Sequence, residues 1–198
     1  MPFVITVIGK PGSGKSTLIE LLVEKLQSHS ACGFQIYNDR DVLVRMAQAK
    51  SMDHFIKARD AMNFEILDER VYDLAIGRLI TTVSKAGNDH VSLIEFSRND
   101  YTRTFRRFAA LLAHKQSLVV YLKTPFDICS ERNIQRALLE NSYSVPSDEM
   151  ESYFRVDDIE QLIRKYPKRV VVVGNELEKG DLLHRVDELW STLKDRIF

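Results

Sequence analysis

The sequence predicts an α/β fold built on a parallel β-sheet, because short apolar runs alternate with segments of helical periodicity. The first apolar run leads directly into a glycine-rich loop, and each later run is followed by a predicted helix. Parallel strands require long crossover connections of this kind, and such connections are right-handed. The five predicted strands are residues 3–8, 34–37, 90–94, 117–122 and 169–173.

The composition is that of a single globular domain, residues 1–198, long enough to bury a sizeable core. Its 28 basic and 28 acidic residues cancel, whereas a general nucleic-acid binder carries a basic excess, so nucleic acid is a disfavoured partner. Cys32 and Cys129 form no C-x-x-C pair, which suits a reducing compartment. No apolar run is long enough for a secretory signal or a membrane span. We therefore expect a cytoplasmic protein with no membrane partner.

The glycine-rich loop matches the pattern G-x-x-x-x-G-K-[ST] and lies between a predicted strand and a predicted helix, which is the setting of a phosphate-binding loop. Glycines let successive main-chain N–H groups point inward around an anion, and the helix start adds its positive dipole end. Lys15 is expected to reach the β- and γ-phosphates of a nucleotide, and the Ser16 hydroxyl to bind Mg²⁺. The nucleotide-binding residues predicted here are Gly9, Lys10, Pro11, Gly12, Ser13, Gly14, Lys15, Ser16 and Thr17.

A polar cluster follows the second predicted strand, where ligands bind in open α/β sheets. It contains Asp39, Arg40 and Asp41. Asp41 serves equally well as the N-cap of a following helix, so Asp39 is slightly favoured as a functional carboxylate. The choice between the two stays open.

Glu95 closes the third predicted strand and is a candidate metal-handling carboxylate, with an ordinary strand-end carboxylate as the alternative. Arg98, three residues on, has the planar fork that binds an anionic acceptor. Arg132 and Arg136 lie one helical turn apart, so both can contact a transferring phosphoryl group.

Two further segments of the chain have recognisable patterns. Residues 53–86 are predicted to be mainly helical, as two helices or one bent helix, with Gly77 as a candidate break. Arg103, Arg106 and Arg107 share one face of a predicted amphipathic helix. That basic face is expected to be solvated surface, with an anion site as the alternative.

Four pieces of the sequence together resemble the nucleoside and nucleotide kinase-like branch of phosphate-loop proteins, which includes adenylate, shikimate, gluconate and deoxynucleoside kinases. The resemblance spans almost the whole chain. The pieces are residues 9–16, Asp39-Arg40-Asp41, Glu95-x-Ser97-Arg98, and residues 121–125 leading to Arg132-x-x-x-Arg136.

The resemblance implies a three-layer α/β sandwich whose five-stranded parallel sheet has the order 2-3-1-4-5. It also implies a mobile lid at about residues 128–154 that carries Arg132 and Arg136. In that branch the carboxylate after the second strand meets the acceptor hydroxyl, a role that falls to Asp39 or Asp41. The loop after the last strand lies against the adenine, a role that falls to Gly174 and Asn175.

Some signatures are missing from the sequence. It contains neither the N-K-x-D nor the D-x-x-G motif of GTPases, and no extended signature that identifies the acceptor. The expected function is therefore an ATP- and Mg²⁺-dependent small-molecule kinase with an unidentified hydroxyl or phosphate acceptor. In this hypothesis Ser16 and Glu95 hold the metal, and Asp39, Arg40 and Arg98 bind the acceptor.

Two alternatives stay open. One is a polynucleotide 5′-hydroxyl kinase, with residues 98–107 lining the path of the strand. The other is a regulatory nucleotide-binding protein that hydrolyses ATP slowly. Both alternatives keep the phosphate-binding loop. In the first the phosphoryl acceptor is a polynucleotide, and in the second ATP is hydrolysed without an acceptor molecule.

Overall fold

A computed structural model describes residues 3–29, 33–61, 63–86, 90–114, 116–139, 143–176 and 179–197. A 3₁₀ turn at Lys50–Met52 and a π-helical turn at Met150–Phe154 supplement the main helices and strands. In chain order those elements are β1 (Phe3–Ile8), α1 (Lys15–His29), β2 (Gly33–Asn38), α2 (Asp39–Ala47), β3 (Ile56–Ala58), β4 (Phe64–Ile66), α3 (Arg70–Lys85), β5 (His90–Phe96), α4 (Tyr101–His114), β6 (Gln116–Lys123), α5 (Phe126–Ala137), α6 (Ser147–Glu149), α7 (Ile159–Lys165), β7 (Val170–Gly174) and α8 (Lys179–Ile197).

The main sheet has the strand order β2-β5-β1-β6-β7, and every pair in it is parallel. These are the five strands predicted from the sequence, and their order is the expected 2-3-1-4-5. All six residues of β1 are buried, because this strand is central and is covered on both faces. The predicted α/β fold class is confirmed.

Helices cover both faces of the sheet, so the expected three layers are present. Alternate residues of each strand point to opposite faces. Val4 and Ile8 of β1 belong to a core that also contains side chains of α2, α3, α4 and α7. Ile5 and Val7 belong to a second core formed with α1 and α8.

The helical prediction for residues 53–86 is wrong in its first half. β3 and β4 form an antiparallel hairpin there, and only the second half is the helix α3. The turn chemistry decides the outcome, because the Asp60 carboxylate accepts a hydrogen bond from the Asn63 backbone N–H at 2.7 Å. Ile56 and Phe64 are then buried in the first core. Gly77 lies inside the continuous helix and does not break it.

None of the helices described is long and apolar enough to cross a bilayer. Of the two cysteines, Cys129 is a buried free thiol, and Cys32 falls outside the described residues.

Replacing Gly77 by alanine should stabilise the fold by about 0.4–1 kcal/mol, because alanine restricts the unfolded chain and favours a helix interior. An added Cβ there meets no atom within 4 Å. Urea denaturation measures the change in the free energy of unfolding. Gly12→Ala is the matched control and should destabilise, since Gly12 has a φ of +80° and a Cβ there would lie 2.3 Å from the Cys129 carbonyl oxygen. If the Gly77→Ala variant is no more stable than the parent protein, the result contradicts the placement of Gly77 in the interior of a continuous helix.

Candidate active site

The carboxyl ends of the central strands open into a cavity of about 280 Å³. Its floor is the loop between β1 and α1, and its walls come from α2, α3, the residues after β5, α5 and the segment 143–154. This is the edge of the sheet at which parallel α/β proteins bind ligands. We call the side lined by the β1–α1 loop the loop end, and the side lined by the segment 143–154 the far end.

The β1–α1 loop adopts its conformation through glycine. Gly12 and Gly14 have φ values of +80° and +95°, which side chains with a Cβ rarely adopt. A Cβ on Gly14 would also lie 2.4 Å from the Asn175 amide nitrogen. The loop therefore turns tightly around a concavity at the start of α1, as an anion-binding nest requires.

Two strand ends hold this loop in place. The Ser13 carbonyl oxygen accepts hydrogen bonds from the Asn175 side-chain amide at 2.7 Å and from the Thr124 hydroxyl at 3.2 Å. All three residues are buried. Asn175 thus supports the loop from beneath, and neither it nor Gly174 is among the described residues that line the cavity. Their expected contact with adenine stays a prediction.

Lys15 is the buried cation at the loop end, only 6% exposed. Its ammonium group donates to the Lys10 carbonyl oxygen at 2.8 Å, and no described carboxylate lies within ion-pair distance of it. Burial lowers its pKa, and the charges of Glu95 and Asp39 oppose that shift. A buried ammonium held only by a carbonyl favours a site that binds an anion.

Ser16 and Glu95 meet at the loop end although 79 residues separate them. The Ser16 hydroxyl lies 3.0 and 3.2 Å from the two carboxylate oxygens, and Asn38 donates to one of them at 3.5 Å. Burial raises the pKa of Glu95, while the Lys15 charge lowers it. Mg²⁺ prefers oxygen ligands such as a hydroxyl and a carboxylate. It needs only one or two ligands from the protein, because phosphate oxygens and water fill the other coordination positions. The residues present fit that ion.

Asp39 and Arg98 form a buried ion pair at 2.5 Å, with side chains 9% and 4% exposed. The guanidinium also donates to the backbone carbonyls of Ser97 and Tyr72 and lies 4.5 Å above the Tyr72 ring. Burial raises the pKa of Asp39, and Arg98 opposes this. The prediction left Asp39 and Asp41 open; Asp39 lines the cavity, whereas Asp41 is exposed on α2.

The cap of α2 is Asn38, which accepts from the Arg40 backbone N–H at 2.8 Å, so the suggestion that Asp41 caps this helix is wrong. Arg40 also lines the cavity, and its guanidinium lies 4.6 Å from the centre of the Tyr143 ring.

The predicted arginine pair on α5 faces the loop end. Arg136 lines the cavity, and its charge acts on both Lys15 and Glu95. An Arg132 guanidinium nitrogen lies 3.5 Å from the Gly12 carbonyl oxygen. Thr17 lies on α1 behind Ser16. Ten of the predicted residues line the cavity: Pro11, Gly12, Gly14, Lys15, Ser16, Asp39, Arg40, Glu95, Arg98 and Arg136. The other predicted residues are not among the described residues that line it: Gly9, Lys10, Ser13, Thr17, Asp41, Arg132, Gly174 and Asn175.

The basic face of α4 is partly neutralised. Asp73 of α3 pairs with Arg103 and, at 3.1 Å, with Arg107. Two of the three arginines are therefore engaged with a carboxylate. This pairing leaves less free positive charge for a bound nucleic-acid strand.

Several residues of the far end were not predicted from the sequence. Tyr72, Tyr143, Val145 and Phe154 line it, and the Asn133 side-chain amide exchanges two hydrogen bonds with the Val145 backbone at 2.7 and 2.9 Å. No local spacing marks these residues, because Tyr72 lies on α3, Asn133 on α5, and the other three in the segment 143–154.

A partner of the loop was also missed. Asp157 forms an ion pair with Lys10 at 2.5 Å and accepts from the Tyr121 hydroxyl at 3.0 Å. The only signal in the sequence for such a partner was the positive charge of Lys10 inside the glycine motif.

Known proteins share both sequence and fold features with this chain. A family model described as AAA domain matches residues 4–156. A gluconokinase from Sinorhizobium meliloti 1021 is 18% identical, with 98% of this chain and 97% of that chain covered and a TM-score of 0.55. A shikimate kinase from Bacteroides thetaiotaomicron is 14% identical, with 97% and 98% covered and a TM-score of 0.56. No curated protein matches the sequence significantly. At these identities the structural likeness establishes the shared fold.

Replacing Arg98 by methionine should lower the free energy of unfolding by about 3–5 kcal/mol, because Asp39 would stay buried without its counter-ion. The double variant Asp39→Asn/Arg98→Met removes both charges and should recover most of that loss. Urea denaturation at neutral pH compares the three proteins. Equal stability of the single and double variants would show that the pair is not coupled as described.

Proposed function

Because the chain belongs to the AAA domain family, we propose that it is an ATP- and Mg²⁺-dependent kinase that phosphorylates a small molecule. The family match covers residues 4–156, which include the phosphate-binding loop, and this membership implies nucleotide binding. The shared fold of a gluconokinase and a shikimate kinase is consistent with a small acceptor.

The observation that carries the proposal is the buried Lys15 ammonium at the mouth of the glycine loop. Among the described residues, its hydrogen-bond partner is the Lys10 carbonyl oxygen, a neutral group. A polyphosphate tail would supply the missing negative charge and would also accept from the N–H groups at the start of α1. Lys15 would then move from the carbonyl to the β- and γ-phosphates.

Ser16 and Glu95 would hold Mg²⁺ through the hydroxyl and carboxylate that now hydrogen bond to each other. The bound ion would neutralise charge on the phosphate oxygens. Ser16 is exposed, so its hydroxyl can turn to a ligand without unpacking α1.

Asp39 would orient the acceptor hydroxyl. It lines the same cavity as Lys15 and Glu95 at the loop end and Tyr143 at the far end. Arg98 would fix that carboxylate in place. The acceptor oxygen would bond to the γ-phosphorus as the bond to the β,γ-bridging oxygen breaks and ADP leaves. The acceptor proton would pass to Asp39 and then to water.

Arg132 and Arg136 would neutralise charge that spreads over the transferring phosphoryl oxygens. We propose that they belong to a lid at residues 128–154 whose closure excludes water from the reaction. Val145 of this segment is already tied to Asn133 over the cavity.

A regulatory ATPase would use the same loop without an acceptor. Phosphoryl transfer from labelled ATP to a panel of nucleosides, nucleotides, sugars and short oligonucleotides separates the functions. A labelled small-molecule product supports the proposal. ATP loss with no labelled product under any acceptor favours the regulator, and a labelled oligonucleotide favours the polynucleotide kinase.

Lys15→Ala should reduce kcat by roughly 10²- to 10³-fold or more, as expected for loss of a group that stabilises transition-state charge. ATP consumption measures the effect. Lys168→Ala is the matched control, because Lys168 is exposed beside the amino end of β7, at the opposite edge of the sheet, and should retain full activity. Full activity of the Lys15→Ala variant would contradict the mechanism.

Ser16→Ala and Glu95→Gln should each raise the half-saturating Mg²⁺ concentration roughly 10- to 100-fold, the range seen when support of a metal site is removed. Magnesium titration of ATP consumption measures this, and chelation should abolish turnover. Ser28→Ala, on the exposed surface of the same helix, is the control and should match the parent protein. A parental magnesium dependence in both site variants would remove Ser16 and Glu95 from the metal site.

A further inference from the structure

The side chain of Lys10, at the second position of the glycine motif, is fixed by a buried acidic partner. Its ammonium group donates to an Asp157 carboxylate oxygen at 2.5 Å, and the two side chains are 11% and 5% exposed. The Tyr121 hydroxyl donates to the same oxygen at 3.0 Å, and the Ile159 backbone N–H donates to the other at 3.2 Å. Both oxygens of Asp157 are thus engaged, and breaking this buried pair would leave an uncompensated charge.

Asp157 is itself held from a part of the chain that lies outside the loop. The carboxylate of its neighbour Asp158 accepts from the backbone N–H groups of Tyr101 and Thr102 at 2.6 and 3.0 Å. The Asp158 backbone N–H donates to the Asn99 carbonyl oxygen at 3.0 Å. These bonds fasten the two aspartates to the start of α4. Because Asp157 cannot follow a displaced loop, the loop must conform to the position of Asp157.

The backbone of Lys10 shapes the anion site. Its carbonyl oxygen accepts from the Lys15 ammonium at 2.8 Å and from the Ser13 backbone N–H at 3.1 Å. The side chain of Lys10 fixes one side of the loop. The Ser13 carbonyl, bound by Asn175 and Thr124, fixes the other side. A loop ordered in this way loses little conformational freedom when phosphates bind.

Two roles are open to Lys10, and they make opposite predictions. As a phosphate ligand, its ammonium group would have to leave Asp157, and removing Asp157 would then strengthen nucleotide binding. As a fastening point of the loop, it needs Asp157, and removing either partner would weaken binding. The second role fits the observation that Lys15 lines the cavity, whereas Lys10 is not among the described residues that line it.

We propose that Asp157 is a positioning residue for the nucleotide. Through Lys10 it holds the glycine loop in the shape that binds the polyphosphate tail, and it contacts no phosphate itself. This inference rests on the nucleotide binding of the proposed function. It adds a determinant of that binding that lies 147 residues after Lys10 and outside the residues 4–156 that the family model matches.

Binding of a fluorescent ATP analogue in the presence of Mg²⁺ tests the proposal without requiring turnover. Lys10→Met and Asp157→Leu should each raise Kd roughly 10-fold or more, because each removes the link between the loop and α4. The double variant should lose no more affinity than the weaker-binding single variant, since all three lack the same interaction. Inorganic tripolyphosphate, used as a competitor, should lose affinity by the same factor, because the loop contacts the tail and not the nucleoside.

Urea denaturation of the same variants separates positioning from a merely structural role. Each single variant leaves one buried charge unpaired and should be less stable than the parent protein. The double variant replaces the pair by apolar side chains of similar size and should recover most of that stability. Its Kd for the ATP analogue should nevertheless stay raised. A Kd that recovers along with the stability overturns the proposal.

The ion pair between Lys25 and Asp187 provides the matched control. It joins α1 to α8 at 2.5 Å, its side chains are 34% and 62% exposed, and neither is among the described residues that line the cavity. Lys25→Met and Asp187→Leu should keep the parental Kd. Equal losses in these control variants would attribute the effect to any disturbance of α1 and would overturn the proposal.

The outcomes also separate this inference from the proposed function. Tighter binding by Asp157→Leu, or parental Kd values in both single variants, overturns the role of Asp157 and leaves nucleotide binding intact. A loss of affinity for the ATP analogue with unchanged affinity for tripolyphosphate overturns it as well. If the parent protein binds neither compound, the proposed function fails, and the inference fails with it.

Discussion

The candidate active site depends on keeping one ammonium group, that of Lys15, buried beside a loop that offers it no counter-ion. Its near neighbours are the Lys10 carbonyl and, at longer range, Glu95 and Asp39. A buried charge is costly unless it is paired or hydrogen-bonded, so the hydrogen bond from Lys15 to the Lys10 carbonyl requires a loop that is held in place. The Asn175 and Thr124 hydrogen bonds to the Ser13 carbonyl provide that support. The residues that follow β6 and β7 thereby help to determine the shape of the anion site.

The charged side chains that line the cavity differ between its loop end and its far end. The loop end combines Lys15, Arg136 and Glu95, which suits phosphates and a metal ion. Asp39 lines the same cavity and forms a buried ion pair with Arg98. At the far end, the Arg40 guanidinium lies 4.6 Å from the centre of the Tyr143 ring. A single cavity can thus hold a phosphoryl donor and an acceptor next to each other. Such positioning is the main requirement of phosphoryl transfer.

Local patterns predicted the parts of this structure that local physics determines. The glycine motif specifies the loop, and buried β-branched runs specify the strands, so both were recognised from the sequence. Glu95 followed because it closes such a strand. The β3–β4 hairpin was missed because its decisive feature is the Asp60 turn together with burial of Ile56 and Phe64, which only the tertiary structure supplies. The pairing of Arg98 with Asp39, across 59 residues, has no signal in the sequence.

A crystal structure of the protein with Mg²⁺ and a non-hydrolysable ATP analogue tests the central claim most directly. The account expects the Lys15 ammonium to have left the Lys10 carbonyl and to contact the β- and γ-phosphates, with the triphosphate surrounded by main-chain N–H groups of the loop. A triphosphate bound elsewhere, or bound while Lys15 remains on the Lys10 carbonyl, would contradict it.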